Sequence, residues 1–104
     1  MSEQPTALGV AVHVKDLPDM AGEAAVYRMH PPYAYKDPLS AQSTSHEYVV
    51  ISAMRFSFSG IKETLLFPSD GGKVTDWGEL PGSLYDTFGH QAVADNINYT
   101  LITE

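Results

Sequence analysis

The residues best suited to chemistry in this chain are four histidines, and their spacing predicts no shared site. They are His13, His30, His46 and His90. Two imidazoles usually reach one metal ion from positions four apart on a helix or two apart on a strand. No two of these histidines have either spacing, so we expect each to be exposed or hydrogen-bonded, and we expect no metal site.

Nucleophilic and acid–base chemistry is not assembled along the sequence either. The 104 residues include no cysteine, which excludes thiol nucleophiles, zinc–thiolate sites and disulfides, and suits a reducing cytoplasm. Ser45 adjoins His46, but adjacent strand residues face opposite sides of a sheet and cannot meet through that strand. Glu47 and Glu63 fall on strands that could be neighbours, where an exposed charge pair is the commoner arrangement. The sequence therefore predicts a protein that is not an enzyme.

A glycine-rich segment at residues 70–73, Asp-Gly-Gly-Lys, is the nearest approach to a phosphate-binding loop. It lacks the spacing of such a loop and the helix that should follow it. A tight turn between two strands explains the same residues, because glycine adopts positive φ without steric cost. We therefore expect no bound cofactor.

Charge limits the classes of partner. Thirteen acidic and six basic residues give a net charge of −7, and no lysine or arginine follows Lys73. An acidic surface repels phosphate backbones and anionic lipid headgroups, so we expect no direct contact with nucleic acid or membrane. The first residues lack the pattern of a signal peptide, and no apolar run approaches the ~20 residues that span a bilayer. A cytoplasmic protein is predicted, with an acidic C-terminal stretch that either keeps it soluble or docks on a basic partner.

Hydrophobic periodicity predicts a single domain of 104 residues that begins with a β-hairpin at 1–30. Residues 7–14 alternate between large side chains and small ones, which is typical of a strand with one bulky face and one small face. The small face would let another element approach closely. A polar connection follows, and residues 23–30 supply a second strand, antiparallel to the first.

Residues 31–45 are predicted to form a long loop. Pro31, Pro32 and Pro38 remove backbone donors, and residues 40–45 are nearly all small and polar. The loop separates the hairpin from a ββ-β-α-β module at 46–104.

That module begins with the strongest strand pattern, at 46–56, which is apolar on both faces and therefore central. Further strands are expected at 63–67, 73–77 and 99–103. A short helix is expected between Leu84 and Ile97, with capping positions at Ser83, Asp86 and Thr87 and a left-handed stop at Asn98. The predicted fold is α+β: a small antiparallel sheet of about five to six strands with one short C-terminal helix packed on it.

Two aromatic segments are the candidate contacts for a partner. The segment 31–35 is Pro-Pro-Tyr-Ala-Tyr and comes close to a proline-rich ligand motif without matching it, and 77–82 places a tryptophan before a turn. Packing of each segment on its own sheet, with Trp77 over the edge of the core, is the commoner arrangement for such residues. The candidate partner-binding residues are Pro31, Pro32, Tyr33, Tyr35, Trp77 and Glu79.

Three segments and one histidine in the C-terminal module occur in a distinctive order. They are 48–53 (Tyr-Val-Val-Ile-Ser-Ala), 63–70 (Glu-Thr-Leu-Leu-Phe-Pro-Ser-Asp), 75–83 (Thr-Asp-Trp-Gly-Glu-Leu-Pro-Gly-Ser) and His90. Together they resemble small proteins encoded by phages of actinobacteria, over roughly residues 46–104. The resemblance implies a small phage accessory protein acting in the host cytoplasm, and it implies no catalytic residues.

The leading hypothesis is a non-enzymatic phage protein that binds a host bacterial protein and modulates or inhibits it, in host takeover or anti-defence. One alternative is a protein that sequesters a small nucleotide signal, in a pocket using Arg28, Arg55 and tyrosines. Another is a minor structural component of the virion. Self-association into a homodimer through an exposed sheet edge is a further expectation.

Overall fold

Six strands and one short helix form the described part of the chain. A computed structural model describes residues 8–20, 22–36, 43–56 and 59–102. The strands are β1 (Gly9–Asp16), β2 (Glu23–Lys36), β3 (Ser43–Arg55), β4 (Lys62–Ser69), β5 (Leu84–Tyr85) and β6 (Tyr99–Ile102), and the helix is α1 (His90–Asn96). The strands form one sheet in the order β5-β4-β3-β2-β1-β6.

The sheet is mixed, which corrects the prediction of an antiparallel sheet. Four neighbouring pairs are antiparallel, but β6 pairs with β1 in parallel. The chain leaves β5 at one edge, passes through α1 and enters β6 at the other edge. Such a crossover is how a chain builds a parallel pair. The coarser prediction, mostly strands with one short helix, is confirmed.

Strand β2 continues through the segment predicted to be a loop. Pro31 and Pro32 lie inside it, after a cis His30–Pro31 bond. The pairing of β2 with β3 shifts register between Arg28 and Tyr33, so both prolines fall where no ladder bond is required of them. The loop predicted at 31–45 is therefore wrong at both ends, since β2 extends to Lys36 and β3 begins at Ser43. Residues 37–42 lie outside the described residues.

The central strands agree with the predictions. β3 lies between β2 and β4, and its buried residues include Val49, Val50 and Ile51, so residues on both of its faces are buried at the middle of the strand. On β1 the small face is confirmed. Ala11 is fully buried, and a Cβ added at Gly9 would lie 2.0 Å from the carbonyl oxygen of His30.

Two details of the C-terminal module differ from the prediction. The strand expected at 73–77 is reduced to one bridge, between Ser69 and Val74. Helix α1 begins only after Gly89, with no side-chain cap. Ser83 does not cap the helix, because its hydroxyl oxygen accepts a hydrogen bond from the backbone N–H of Leu66 at 2.9 Å. The predicted left-handed residue at Asn98 is confirmed, with φ 63°.

The two sides of the sheet have separate apolar clusters. Helix α1 packs on one side, which we call the helix side, and buries the larger cluster with members from β1, β2, β3, β4 and β6. The opposite side, which we call the open face, has a smaller cluster. It comprises Ala24, Val26, Val50 and Phe67, with Leu17, Met20, Tyr48, Leu65 and Val74 packed against it.

Candidate functional site

The open face continues beyond its small cluster toward the β5 edge. Side chains of directly paired residues share one side of a sheet, and successive residues alternate. Val50 pairs with Phe67, and Met54 pairs with Glu63, so these residues share the open face. Glu63 in turn pairs with Tyr85 of β5. No described helix covers this half of the sheet.

A groove runs along this part of the open face. It has a volume of about 470 Å³, and its lining is mainly apolar. The residues that line it are Asp19, Met20, Ser52, Met54, Leu65, Phe67 and Trp77. A second groove of about 480 Å³ shares Asp19, Met20 and Trp77 with it and continues between residues 15–20 and 72–77. The two grooves are therefore adjacent, and Trp77 lines both of them.

Trp77 lines both grooves and is 68% exposed. Its ring meets that of Phe67 edge to face, with centroids 5.5 Å apart. Edge-to-face contact is a favoured aromatic geometry, but it leaves most of the tryptophan exposed. The core-edge alternative for Trp77 is therefore not what the structure has: the indole leans on the edge of the small cluster and faces solvent.

Short turns order the backbone on both sides of Trp77. On one side, the backbone N–H groups of Gly72 and Lys73 donate to the Asp70 carboxylate at 2.9 and 3.0 Å. These two bonds are the main reason that the pKa of Asp70 is lowered. The Gly78 N–H donates to the Asp76 carboxylate at 2.8 Å on the other side. The sequence signal for this arrangement is the pair of aspartates, each two residues before the glycine it binds.

Three more large side chains lie exposed toward the same end of the sheet. They are Phe56, Ile61 and Tyr85. The Phe56 N–H donates to the Ile61 carbonyl at 2.7 Å, continuing the β3–β4 ladder past Met54 and Glu63. By the same alternation, Phe56 and Ile61 face the open side with Met54. Sequence analysis did not identify these residues, because apolar side chains that alternate on a strand look the same whether or not something covers them.

The other predicted contact segment lies on the helix side. Tyr33 is 9% exposed, and its hydroxyl donates to the Pro81 carbonyl. Burial raises the pKa of Tyr33, and its neighbours Tyr35 and Tyr99 add to that effect. Pro31 and Pro32 are exposed, and the Tyr99 hydroxyl donates to the Pro31 carbonyl at 2.7 Å. The structure thus places Tyr33 and Trp77 on opposite sides of the sheet, while Glu79 is exposed two residues from Trp77.

A tyrosine–histidine pair on the helix side was missed by the sequence analysis. Tyr27 and His90 are 63 residues apart, and the Tyr27 hydroxyl lies 2.7 Å from Nδ1 of His90. Burial and the carboxylate of Asp16 raise the pKa of Tyr27 to about 12, so this hydroxyl keeps its proton and donates. Nε2 of His90 is 2.8 Å from the Glu23 carbonyl, which can only accept. Both ring nitrogens are occupied, so His90 joins the helix to the sheet and has no free nitrogen for acid–base work.

The arginines suggested for a nucleotide pocket are not brought together. Arg28 lies on β2 and pairs with Glu47 at 3.3 Å. Arg55 lies at the end of β3 with its guanidinium 4.2 Å from the ring centroid of Phe88, just before α1. Among residues 8–20, 22–36, 43–56 and 59–102, no group of three His, Asp or Glu side chains could hold a metal ion.

Comparison with known proteins adds no relative to this geometry. No protein-family model, curated protein or solved structure matches the chain. Within the described part of the chain, no helix is long and apolar enough to cross a membrane. The function has to be argued from the open face itself.

Proposed function

We propose that this protein is a non-enzymatic phage accessory protein that binds a host bacterial protein in the cytoplasm and modulates or inhibits it. The observation that supports protein binding is the exposed Trp77 beside a mainly apolar groove, on the sheet face that no described helix covers. Phage origin and a host target rest on the resemblance of residues 46–104 to small proteins of actinobacterial phages.

Exposure of this tryptophan has an energetic cost that a partner would remove. Burial of a large aromatic side chain contributes about 1.5–3 kcal/mol, and tryptophan is the residue most enriched at the centres of protein interfaces. The backbone on both sides of Trp77 is ordered by turns, and Phe67 contacts the indole on one side, so less conformational entropy is lost when a partner covers it than for a residue in an irregular loop. An exposed tryptophan beside an apolar groove is typical of a protein-binding surface.

Charge around the grooves suggests the chemistry of the partner. Among the described residues, Asp19 is the one charged residue that lines the first groove, and Asp76 and Glu79 are exposed on either side of Trp77. The second groove has both signs of charge, since Lys15 and Lys73 line it together with Asp16 and Asp19. Complementary charge at the rim of an interface speeds association and selects the partner. We therefore expect the host protein to present an apolar side chain to the first groove, with lysine or arginine near Asp19.

The nucleotide-binding alternative has weaker support. A phosphate-bearing ligand needs basic groups that converge. Arg28 on β2 contacts Glu47, whereas Arg55 at the end of β3 contacts the Phe88 ring. No contact among the described residues favours the second alternative, a minor structural component of the virion.

The test is capture from an actinobacterial host lysate by tagged protein, read by mass spectrometry, with two variants run beside the wild type. Trp77→Ala removes the anchor on the open face, and Tyr35→Ala changes the other predicted contact segment. We expect one host protein at near-equal amounts with the wild type and Tyr35→Ala. Its affinity should fall by about 30-fold or more with Trp77→Ala, the value of a hot-spot tryptophan.

Two results would contradict the proposal in different ways. No enriched protein, with the bait folded, argues against a host protein as partner. Capture that survives Trp77→Ala but is lost with Tyr35→Ala keeps the protein-binding function and moves the contact to the segment 31–35.

A further inference from the structure

The two edges of the sheet differ in how they are protected. At the β5 edge, hydrogen bonds from the following segment cover β4 where β5 does not reach. The Leu66 N–H donates to the Ser83 hydroxyl, and the Leu66 carbonyl accepts from the Leu80 N–H at 2.6 Å. Farther along, the Pro68 carbonyl accepts from the Thr75 N–H at 3.0 Å. This edge offers few groups to another strand.

The β6 edge has no such cover in the part of the chain that the structure describes. β6 is the last strand in the sheet order, and its one described strand neighbour is β1. Its sequence, Tyr-Thr-Leu-Ile, has no charge, proline or glycine. Natural edge strands are usually guarded by such residues or by bulges, because an unguarded edge pairs readily with another strand.

Apolar side chains are also exposed beside this edge. Leu8, Val14 and Ile102 are three of the exposed large hydrophobic residues of the described chain. Ile102 pairs with Val12 of β1, and the N–H of Leu8 donates to the carbonyl of Asn98 at 2.7 Å, directly before β6. Among the described residues, neither the outer backbone of β6 nor the apolar side chains at this edge have a strand or helix packed on them.

We propose that β6 pairs in antiparallel fashion with β6 of a second copy of this chain, across a two-fold axis perpendicular to the sheet. Directly paired residues must have their side chains on the same face of the sheet. The two-fold axis maps each residue onto the same residue of the second copy and keeps it on the same face. The register must therefore centre on a residue that opposes its own copy, either Thr100 or Leu101. The two sheets then join into one of twelve strands, and both open faces lie on the same side. This dimer does not depend on the proposed host-binding function.

Charge explains why a second copy suits this edge. Each copy carries −7, so two copies repel one another overall, and the repulsion is weakest where the approaching surfaces are neutral. β6 carries no charged residue, and in β1 the charged Lys15 and Asp16 come only at the end of the strand. The edge is therefore the place where two identical acidic chains can meet at low electrostatic cost, and a strand related to itself by a two-fold axis complements its own copy.

The first test is the mass of the full chain in solution, measured by light scattering across a concentration series. We expect about 23 kDa, twice the 11.4 kDa of the chain, at high concentration. Thr100→Glu puts a carboxylate on each strand at the junction, and the dissociation constant should rise about tenfold or more. Thr75→Glu is the matched control, since Thr75 is also exposed but lies in the segment near the other edge. It should leave the dimer intact.

Cysteine cross-linking gives a second test that does not depend on the stability of the variant with glutamate. The chain has no native cysteine, and opposed residues in an antiparallel pair have Cα atoms about 4.5–5.5 Å apart, within reach of a disulfide. Either Thr100→Cys or Leu101→Cys should give a covalent dimer on mild oxidation, and Thr75→Cys should not. A chain that stays at 11.4 kDa, a dimer indifferent to Thr100→Glu, or no cross-link from both β6 variants would each overturn the proposal.

Discussion

The helix side and the open face are two sides of one sheet, both apolar, yet in the described part of the chain a helix covers only one of them. Adjacent residues on β4 show the contrast. Leu66 points to the helix side and is fully buried beneath Leu80 and α1, whereas Leu65 lines the groove beside Trp77 and is partly exposed. The strand pattern is equally apolar at both positions. The difference lies in what the rest of the chain places above them.

This difference separates stability from recognition. On the helix side, polar groups are satisfied internally, as with Tyr33 on the Pro81 carbonyl and Tyr27 on His90. On the open face, the large side chains of Trp77, Tyr85 and Ile61 are half or more exposed. Soluble proteins seldom leave a continuous apolar patch uncovered unless something binds there. We infer that the helix side holds the fold together and that the open face is kept for a partner.

The largest expected effect comes from the same substitution on the two sides. Leu66→Ala leaves a cavity under the helix and should lower the free energy of unfolding by about 2–5 kcal/mol. Leu65→Ala should lower it by about 1 kcal/mol or less, because solvent already reaches this side chain. Urea unfolding of both variants and the wild type measures the two values.

Binding should respond in the reverse order. Leu65→Ala should weaken capture of the host protein, while Leu66→Ala at a temperature where it remains folded should not. Equal losses of stability for the two variants would break the distinction between the sides.

An intermediate effect is expected from removing single hydroxyl groups. Tyr33→Phe leaves the Pro81 carbonyl without its donor and should lower the free energy of unfolding by about 1–2 kcal/mol. Tyr85→Phe is the matched control on the open face. The exposed Tyr85 hydroxyl contacts water in both the folded and the unfolded state, so its removal should change the free energy of unfolding by close to zero. Thermal unfolding of the two variants gives the comparison, and a similar change in both would mean that the Tyr33 bond contributes nothing.

The smallest effect concerns pH. Burial lowers the pKa of His46 below its usual 6.5, and its Nε2 lies 3.3 Å from the Tyr35 hydroxyl on the helix side. Well above pH 6.5, His46 is neutral in both the folded and the unfolded state, so it adds no pH dependence to the free energy of unfolding. As the pH falls below 6.5 the unfolded state takes up the proton first, and stability decreases. Urea midpoints at pH 7.5 and 5.5 should differ less for His46→Gln than for the wild type, and an equal difference would count against this account.

Much of the sheet could be predicted from the sequence, because strand patterns on β1, β3 and β4 depend on local alternation. The parallel pairing of β6 could not, since it depends on where the chain re-enters the sheet after α1. Pro31 and Pro32 were misleading for a related reason. Prolines argue against a strand only where the ladder needs their donors, and the register shift in β2 removes that need.

The candidate site was only partly accessible from sequence. Trp77 and Glu79 stand out in the sequence because a tryptophan precedes a turn, but how far the indole is exposed depends on the tertiary packing around it. Met54 and Leu65 carry no sequence signal that separates a groove from a core. Tyr33 and Tyr35 stand out in the sequence because they follow two prolines. Tyr33 is buried and Tyr35 partly buried because β2 extends to Lys36, which the sequence did not indicate.

The fluorescence of Trp77 tests the central claim most directly. Trp77 is the one tryptophan of the chain, so its emission reports on the open face alone. Acrylamide should quench it readily in the free protein, and saturation with the captured host protein, in a form without tryptophan, should shift the emission to the blue and reduce quenching. Unchanged emission and quenching in the saturated complex would show that the partner binds elsewhere.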